Sequence, residues 1–183
     1  MNCDKALKAG VLVLLFLLSF SAGASGRVSL LVGYENRMEP NTESTGRSSV
    51  GGLSALVSYM TRDLEFAFEA CRQQTRTSEV GNLQVSNDRM ELNAWLSYVF
   101  AASNWLSPFV GLGVGAFQED INTQFAESSQ DESGQWLAQP GLTAGANILM
   151  WNSWVVSGRV KALLPETQTK PSLAMGLTTG WRF

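Results

Sequence analysis

Chemistry in this chain would have to be built from Glu65, Glu69, Arg89, Glu91, Arg159, Lys161 and Arg182, the charged residues set within otherwise apolar segments. Glu65 and Glu69 are of the residue type that supplies a general acid and base, but they share their segment face with cations from elsewhere in the chain, and such a cluster is more often structural. Histidine is missing from all 183 residues, so no histidine base is available for a hydrolytic triad. Without histidine, and with only Cys3 and Cys71 as thiols, zinc also lacks a donor set. The run Gly111-Leu112-Gly113-Val114-Gly115 looks like a phosphate loop only in composition, because it lies inside an alternating segment and no helix follows. Between Gln118 and Gly134, the acids Glu119, Asp120, Glu127, Asp131 and Glu132 offer oxygen ligands for a hard cation, yet their spacing is not that of an EF-hand. A solvated acidic surface is the simpler reading. The sequence therefore predicts no enzyme, no catalytic residues, no cofactor and no metal site.

The elements that must carry these charges are extended. With 45% hydrophobic and 16% charged residues, the chain suits one domain. Lys5 and Lys8 precede the uncharged apolar stretch Ala9 to Phe20, and Ala22-Gly23-Ala24 follows, so residues 1–24 are expected to be a cleaved signal peptide and 25–183 the mature domain. Cys3 would leave with the signal, so Cys71 has no intramolecular disulfide partner. A net charge of −3 without clustered Lys and Arg argues against nucleic acid as a partner. No later segment approaches the roughly 18 apolar residues of a membrane-spanning helix, which leaves a closed barrel as the one route into a bilayer.

Alternation supports that route. At the C-terminus Leu173, Met175, Leu177, Thr179, Trp181 and Phe183 alternate with Ser172, Ala174, Gly176, Thr178, Gly180 and Arg182, a period of two with different faces. The same period recurs around Val28–Tyr34, Leu53–Tyr59, Leu64–Cys71, Met90–Tyr98, Pro108–Phe117, 136–149 and 154–164. Eight strands result. Short links near Thr61–Asp63, Ala101–Asn104 and Trp151–Ser153 alternate with mostly longer polar ones near Asn36–Ser49, Gln74–Asn87, Gln118–Gly134 and Pro165–Lys170. Short turns on one rim and long loops on the other are the pattern of outer-membrane barrels. Aromatic residues sort by strand direction to the short-turn rim: Tyr59, Phe66, Tyr98, Phe100, Trp105, Trp151, Trp154, Trp181 and Phe183 are expected to form a periplasmic girdle.

These features resemble the small outer-membrane barrels, the transmembrane domain of outer membrane protein A and outer membrane protein X, over residues 27–183. The ending Trp181-Arg182-Phe183 resembles the C-terminal signal read by the barrel-assembly machinery, although Thr178, flanked by Gly176 and Gly180, stands where the family usually has glycine. The resemblance implies an all-β, eight-stranded antiparallel up-and-down transmembrane β-barrel in the cell outer membrane, both termini periplasmic.

If apolar faces meet lipid, then Glu65, Glu69, Arg89, Glu91, Arg159, Lys161 and Arg182 point inward, where charges of both signs should neutralise one another in a plugged lumen. Gly111, Gly113 and Gly115 would leave room there for large side chains. The expected partners are outer-membrane lipid and lipopolysaccharide, the latter through Arg37, Arg47, Arg72 and Arg76 placed in or near outer-rim loops. The assembly machinery and a surface partner reached through loops 36–49 and 118–134 complete the list. Function is expected to be that of a scaffold for envelope integrity or surface interaction. A narrow porin-like channel and a soluble periplasmic lipocalin-like binding barrel are the alternatives. The lipocalin would put its apolar residues inside, opposite to the charged interior expected here.

Overall fold

A computed structural model describes residues 26–183 except 41–46, 75–77, 81–82, 101–102, 126–127, 152 and 165–171. The expected signal peptide lies outside the described residues. The described residues form ten strands: β1 (Arg27–Pro40), β2 (Arg47–Met60), β3 (Leu64–Gln74), β4 (Ser78–Val80), β5 (Leu83–Val99), β6 (Leu106–Phe125), β7 (Ser128–Ser133), β8 (Leu137–Met150), β9 (Trp154–Leu163) and β10 (Ser172–Arg182). All pairings are antiparallel, and the pairing of β5 with β6 closes the ring β1-β2-β3-β5-β6-β8-β9-β10. This is an eight-stranded up-and-down barrel, as the alternation predicts.

Its stagger follows from the register. One hydrogen-bonded row leads from Leu31 through Leu56, Glu69, Asn93 and Gly115 to Gln139 on β8. In the other direction it leads from Leu31 through Gly180 and Val155 to Leu149, also on β8, ten residues further along. An eight-stranded barrel with that shear has strands tilted about 35–45° and an interior filled by side chains.

Each strand puts alternate residues on opposite sides of the wall. Along β9, Val155, Ser157, Arg159, Lys161 and Leu163 are buried, whereas Val160 is 45% exposed. Leu112, Leu142 and Leu177 are each exposed by 58% or more. From Leu173 to Phe183 the outward residues of β10 cover a belt roughly 25 Å tall, at about 3.3 Å per residue and the tilt above.

The barrel has two unlike rims. At one, called here the terminal rim, Val28 meets the C-terminal Phe183 and the turns are tight. The Thr61 hydroxyl donates to Leu64 O, the Leu106 amide donates to Ser103 Oγ, and the amides of Phe183 and Val28 donate to each other's carbonyls. At the opposite, hairpin rim the wall continues as strand. β4 lies along the far end of β5 and β7 along that of β6. The segments 36–49, 74–87 and 118–134, expected as loops, are therefore largely paired strand. Beyond the apolar belt both faces turn polar, the hydrophobic period disappears, and the sequence loses its strand signal while the backbone ladder continues.

Candidate functional site: the barrel lumen

Seven wall positions were expected to send charges inward, and all seven are buried there: Glu65, Glu69, Arg89, Glu91, Arg159, Lys161 and Arg182 are each no more than 8% exposed. Six belong to ion pairs. Nearest the terminal rim, Arg182 stands apart and donates from Nε to Ser29 Oγ at 3.3 Å. Next, Arg159 Nη2 donates to Glu65 Oε1 at 2.8 Å while its guanidinium carbon lies 4.6 Å from the centre of the Phe109 ring. Asn147 bonds the second oxygen of Glu65 at 3.5 Å.

Further along, Lys161 bridges two carboxylates, Glu69 at 2.7 Å and Glu35. Gln73 donates to the other Glu35 oxygen. Asn93 joins this layer to the next by donating to Glu69 Oε2 at 3.4 Å and to Glu91 Oε1 at 2.8 Å. Glu91 pairs with Arg37 and lies 3.8 Å from Arg89, which reaches Glu119 at 2.8 Å and sits 3.9 Å over the Phe117 ring. Charges buried in low dielectric persist only when paired and hydrogen-bonded. Five buried cations face four buried carboxylates, and the half-exposed Glu119 supplies the fifth negative charge.

Glu35 and Arg37, both fully buried, complete this network. Arg37 was expected at the outer rim; it lies inside the barrel instead. The signal was present in the sequence, because Leu31, Gly33, Glu35 and Arg37 continue one period-two face, but the polar side chains around them look like a loop. Of the other arginines expected at that rim, Arg72 is exposed and pairs with Asp88 at 2.5 Å. Arg47 is the first residue of β2, and Arg76 lies outside the described residues.

An apolar cluster shares the lumen with the charges. Trp95, Leu31, Leu56, Ala67, Val155 and Leu163 pack together. Gly113 and Gly141 make space for the indole: a Cβ would stand 2.6 Å from Trp95 Cε3 at the first and 3.1 Å from Cη2 at the second. Of the glycine run only Gly113 thus serves Trp95; a Cβ at Gly111 would meet Ser97 and one at Gly115 would meet Asn93.

On the outside, the nine aromatic positions singled out in the sequence all lie toward the terminal rim. Phe66, Tyr98, Phe100, Trp105, Trp151, Trp181 and Phe183 are exposed. Trp154 stacks edge-on against Trp181 at 4.5 Å, and Tyr98 against Phe100 at 5.0 Å. Tyr59 differs, being buried against Val28.

No family model matches the chain, and no curated protein matches it. Solved structures do. Ail, the attachment invasion locus protein of Yersinia pestis, is similar with a TM-score of 0.63 at 14% identity, over 87% of this chain and 100% of that one. The N-terminal β-barrel domain of Pseudomonas aeruginosa OprF is similar with a TM-score of 0.53 at 18% identity, over 85% and 97%. The fold is that of the small eight-stranded outer-membrane β-barrels. Neisserial surface protein A shares it as well, with a TM-score of 0.53 at 14% identity over 87% of this chain and 96% of that one.

Proposed function

We propose that this chain is an integral outer-membrane protein whose barrel is a scaffold, with a lumen plugged by its charged network, acting in envelope integrity or in surface contacts made at the hairpin rim. The observation that carries the reading is the inversion of the wall: leucines and valines outward, arginine, lysine and glutamate inward. A lipocalin-like barrel in water would need the reverse, and soluble proteins do not expose a continuous apolar belt of this size. The aromatic rim supports a reading in which it is the periplasmic interface girdle, with Val28 and Phe183 on the periplasmic side and the hairpin rim facing lipopolysaccharide. Trp181 and Phe183 remain the candidate signal for the assembly machinery. Surface contact has a precedent in fold: Ail is named for attachment and invasion.

Neither catalysis nor conduction is part of this reading. Glu35, Glu65, Glu69 and Glu91 are each engaged by a cation, a use of carboxylates that serves stability rather than proton transfer. The interior is occupied by ion pairs and by Trp95.

Two measurements test the proposal together. Membrane-fraction protein in mild detergent should migrate differently before and after boiling, and in planar bilayers it should give no steady conductance. An unchanged band from the soluble fraction removes the membrane reading. Steady single-channel currents replace the plug with a narrow channel.

A further inference from the structure

The outer wall carries a recess that the lumen does not explain. On the face shared by β10, β1, β2, β3 and β5, a groove of about 690 Å³ opens outward, lined by Val32, Leu53, Ala55, Ala70, Met90 and Leu177 together with Tyr34 and Arg72. Its floor is the row Val32–Ala55–Ala70, paired across β1, β2 and β3, where two alanines leave the belt thin. On the terminal side of that row Val57 and Phe68 stand opposite each other. On the hairpin side lies the row Tyr34–Leu53–Arg72–Met90.

Two polar tips mark that end. Tyr34 leans across β2 until its hydroxyl lies over Gly51, where a Cβ would be 1.6 Å from the oxygen. Glycine there leaves room for the end of the ring, which a Cβ would strike. Arg72 is held by Asp88 through Nε and Nη2, while Nη1 meets no acceptor among the described residues, and the side chain is 66% exposed. Gly51 and Asp88 both lie two residues beyond the Tyr34–Leu53–Arg72–Met90 row, so hydroxyl and guanidinium reach the same level. An apolar trough ending in a guanidinium with a free edge and a phenol has the chemistry of a site for a phosphorylated amphiphile.

Resting on the outer-membrane reading, we propose that this groove binds one acyl chain of lipopolysaccharide, with a phosphate of its glucosamine headgroup held between Arg72 and Tyr34. Lipopolysaccharide is the occupant because that reading puts the hairpin rim in the outer leaflet and because the edge of Arg72 that Asp88 does not hold offers a phosphate a charge-assisted donor. Asp88 fixes the guanidinium and at the same time opposes the ligand's charge, so it limits affinity.

The test is native mass spectrometry of the full chain released from detergent micelles, with bisphosphorylated lipid A, the same lipid stripped of phosphate, and phosphatidylglycerol as probes. One bisphosphorylated lipid A is expected per barrel. Its retention should fall about tenfold in Arg72→Gln, as for loss of a charge-assisted contact, and also in Ala70→Phe, which fills the trough. It should rise in Asp88→Asn. The dephosphorylated lipid should bind the native chain as weakly as lipid A binds Arg72→Gln. Each variant is first checked for a boiling-dependent band shift, so that a folded barrel is in hand. Equal retention by the native chain, Arg72→Gln and Ala70→Phe overturns the site. Equal retention of phosphatidylglycerol overturns lipopolysaccharide as the occupant, and a fall in Asp88→Asn equal to that in Arg72→Gln reduces Arg72 to a structural partner. Loss of the band shift in the native chain refutes the membrane reading itself, a separate result.

Discussion

The lumen around Lys161 and the outer belt around Leu112 are built on the same wall, yet they obey opposite rules. Lys161 is fully buried between two carboxylates, and Leu112 is 63% exposed. Inside, the buried carboxylates are stable because each meets a cation, and a lost partner leaves a buried charge uncompensated. Outside, the leucines and valines of the belt have no polar partner to lose, and the surrounding solvent decides whether they are stable. The comparison teaches that substitutions inside should be costly in proportion to the partners they strand, while those outside should depend on chemical type and on depth in the belt.

Breaking the inner rule should have the largest effect. Lys161→Ala leaves Glu35 and Glu69 facing each other without their cation, and the expected loss is about 3–5 kcal/mol in urea unfolding from lipid vesicles. An effect below about 1 kcal/mol would show that the ion pairs are solvated. Trp95→Ala tests the same region through packing. It removes the indole from the apolar cluster and should destabilise the barrel by about 3–5 kcal/mol. Because the charged layers stay in place, planar bilayers should still show no steady conductance, and currents from this variant would make Trp95 the seal.

On the outer side, Leu112→Arg places a charge at the middle of the belt and should cost about 2–4 kcal/mol, whereas the same change at Leu173, at the hairpin edge of the belt, should cost about 0–1. Equal costs at the two positions would remove the depth dependence that a bilayer imposes. Smallest is the exposed Arg72–Asp88 pair. A double-mutant cycle on it should give a coupling below about 1 kcal/mol, in contrast to the buried pairs.

How much of this could be read from the sequence differed in the same way between the two regions. Leu173, Met175 and Leu177 reveal their strand because a face in hydrocarbon has to be apolar, and seven inward charges follow by parity. Glu35 and Arg37 are harder to place inside, and Arg37 reads as a rim residue, because they sit where the outward face also turns polar at Asn36, so the contrast between faces fades before the strand ends. The extensions into β4 and β7 are held by backbone ladders that leave no hydrophobic period behind. Ion-pair partners such as Glu65 with Arg159 depend on register and tilt, which the sequence does not encode in any single segment. Trp95 as the reason for Gly113 and Gly141 belongs to the same class, since it joins three strands.

Spin-label accessibility along β10 tests the central claim most directly. In a background lacking Cys3 and Cys71, single cysteines from Leu173 to Thr178 are labelled in the membrane-inserted protein and exposed to oxygen, which concentrates in hydrocarbon. The account predicts strong relaxation at Leu173, Met175 and Leu177 and weak relaxation at Ala174, Gly176 and Thr178. The opposite phase, or no period of two, would contradict it.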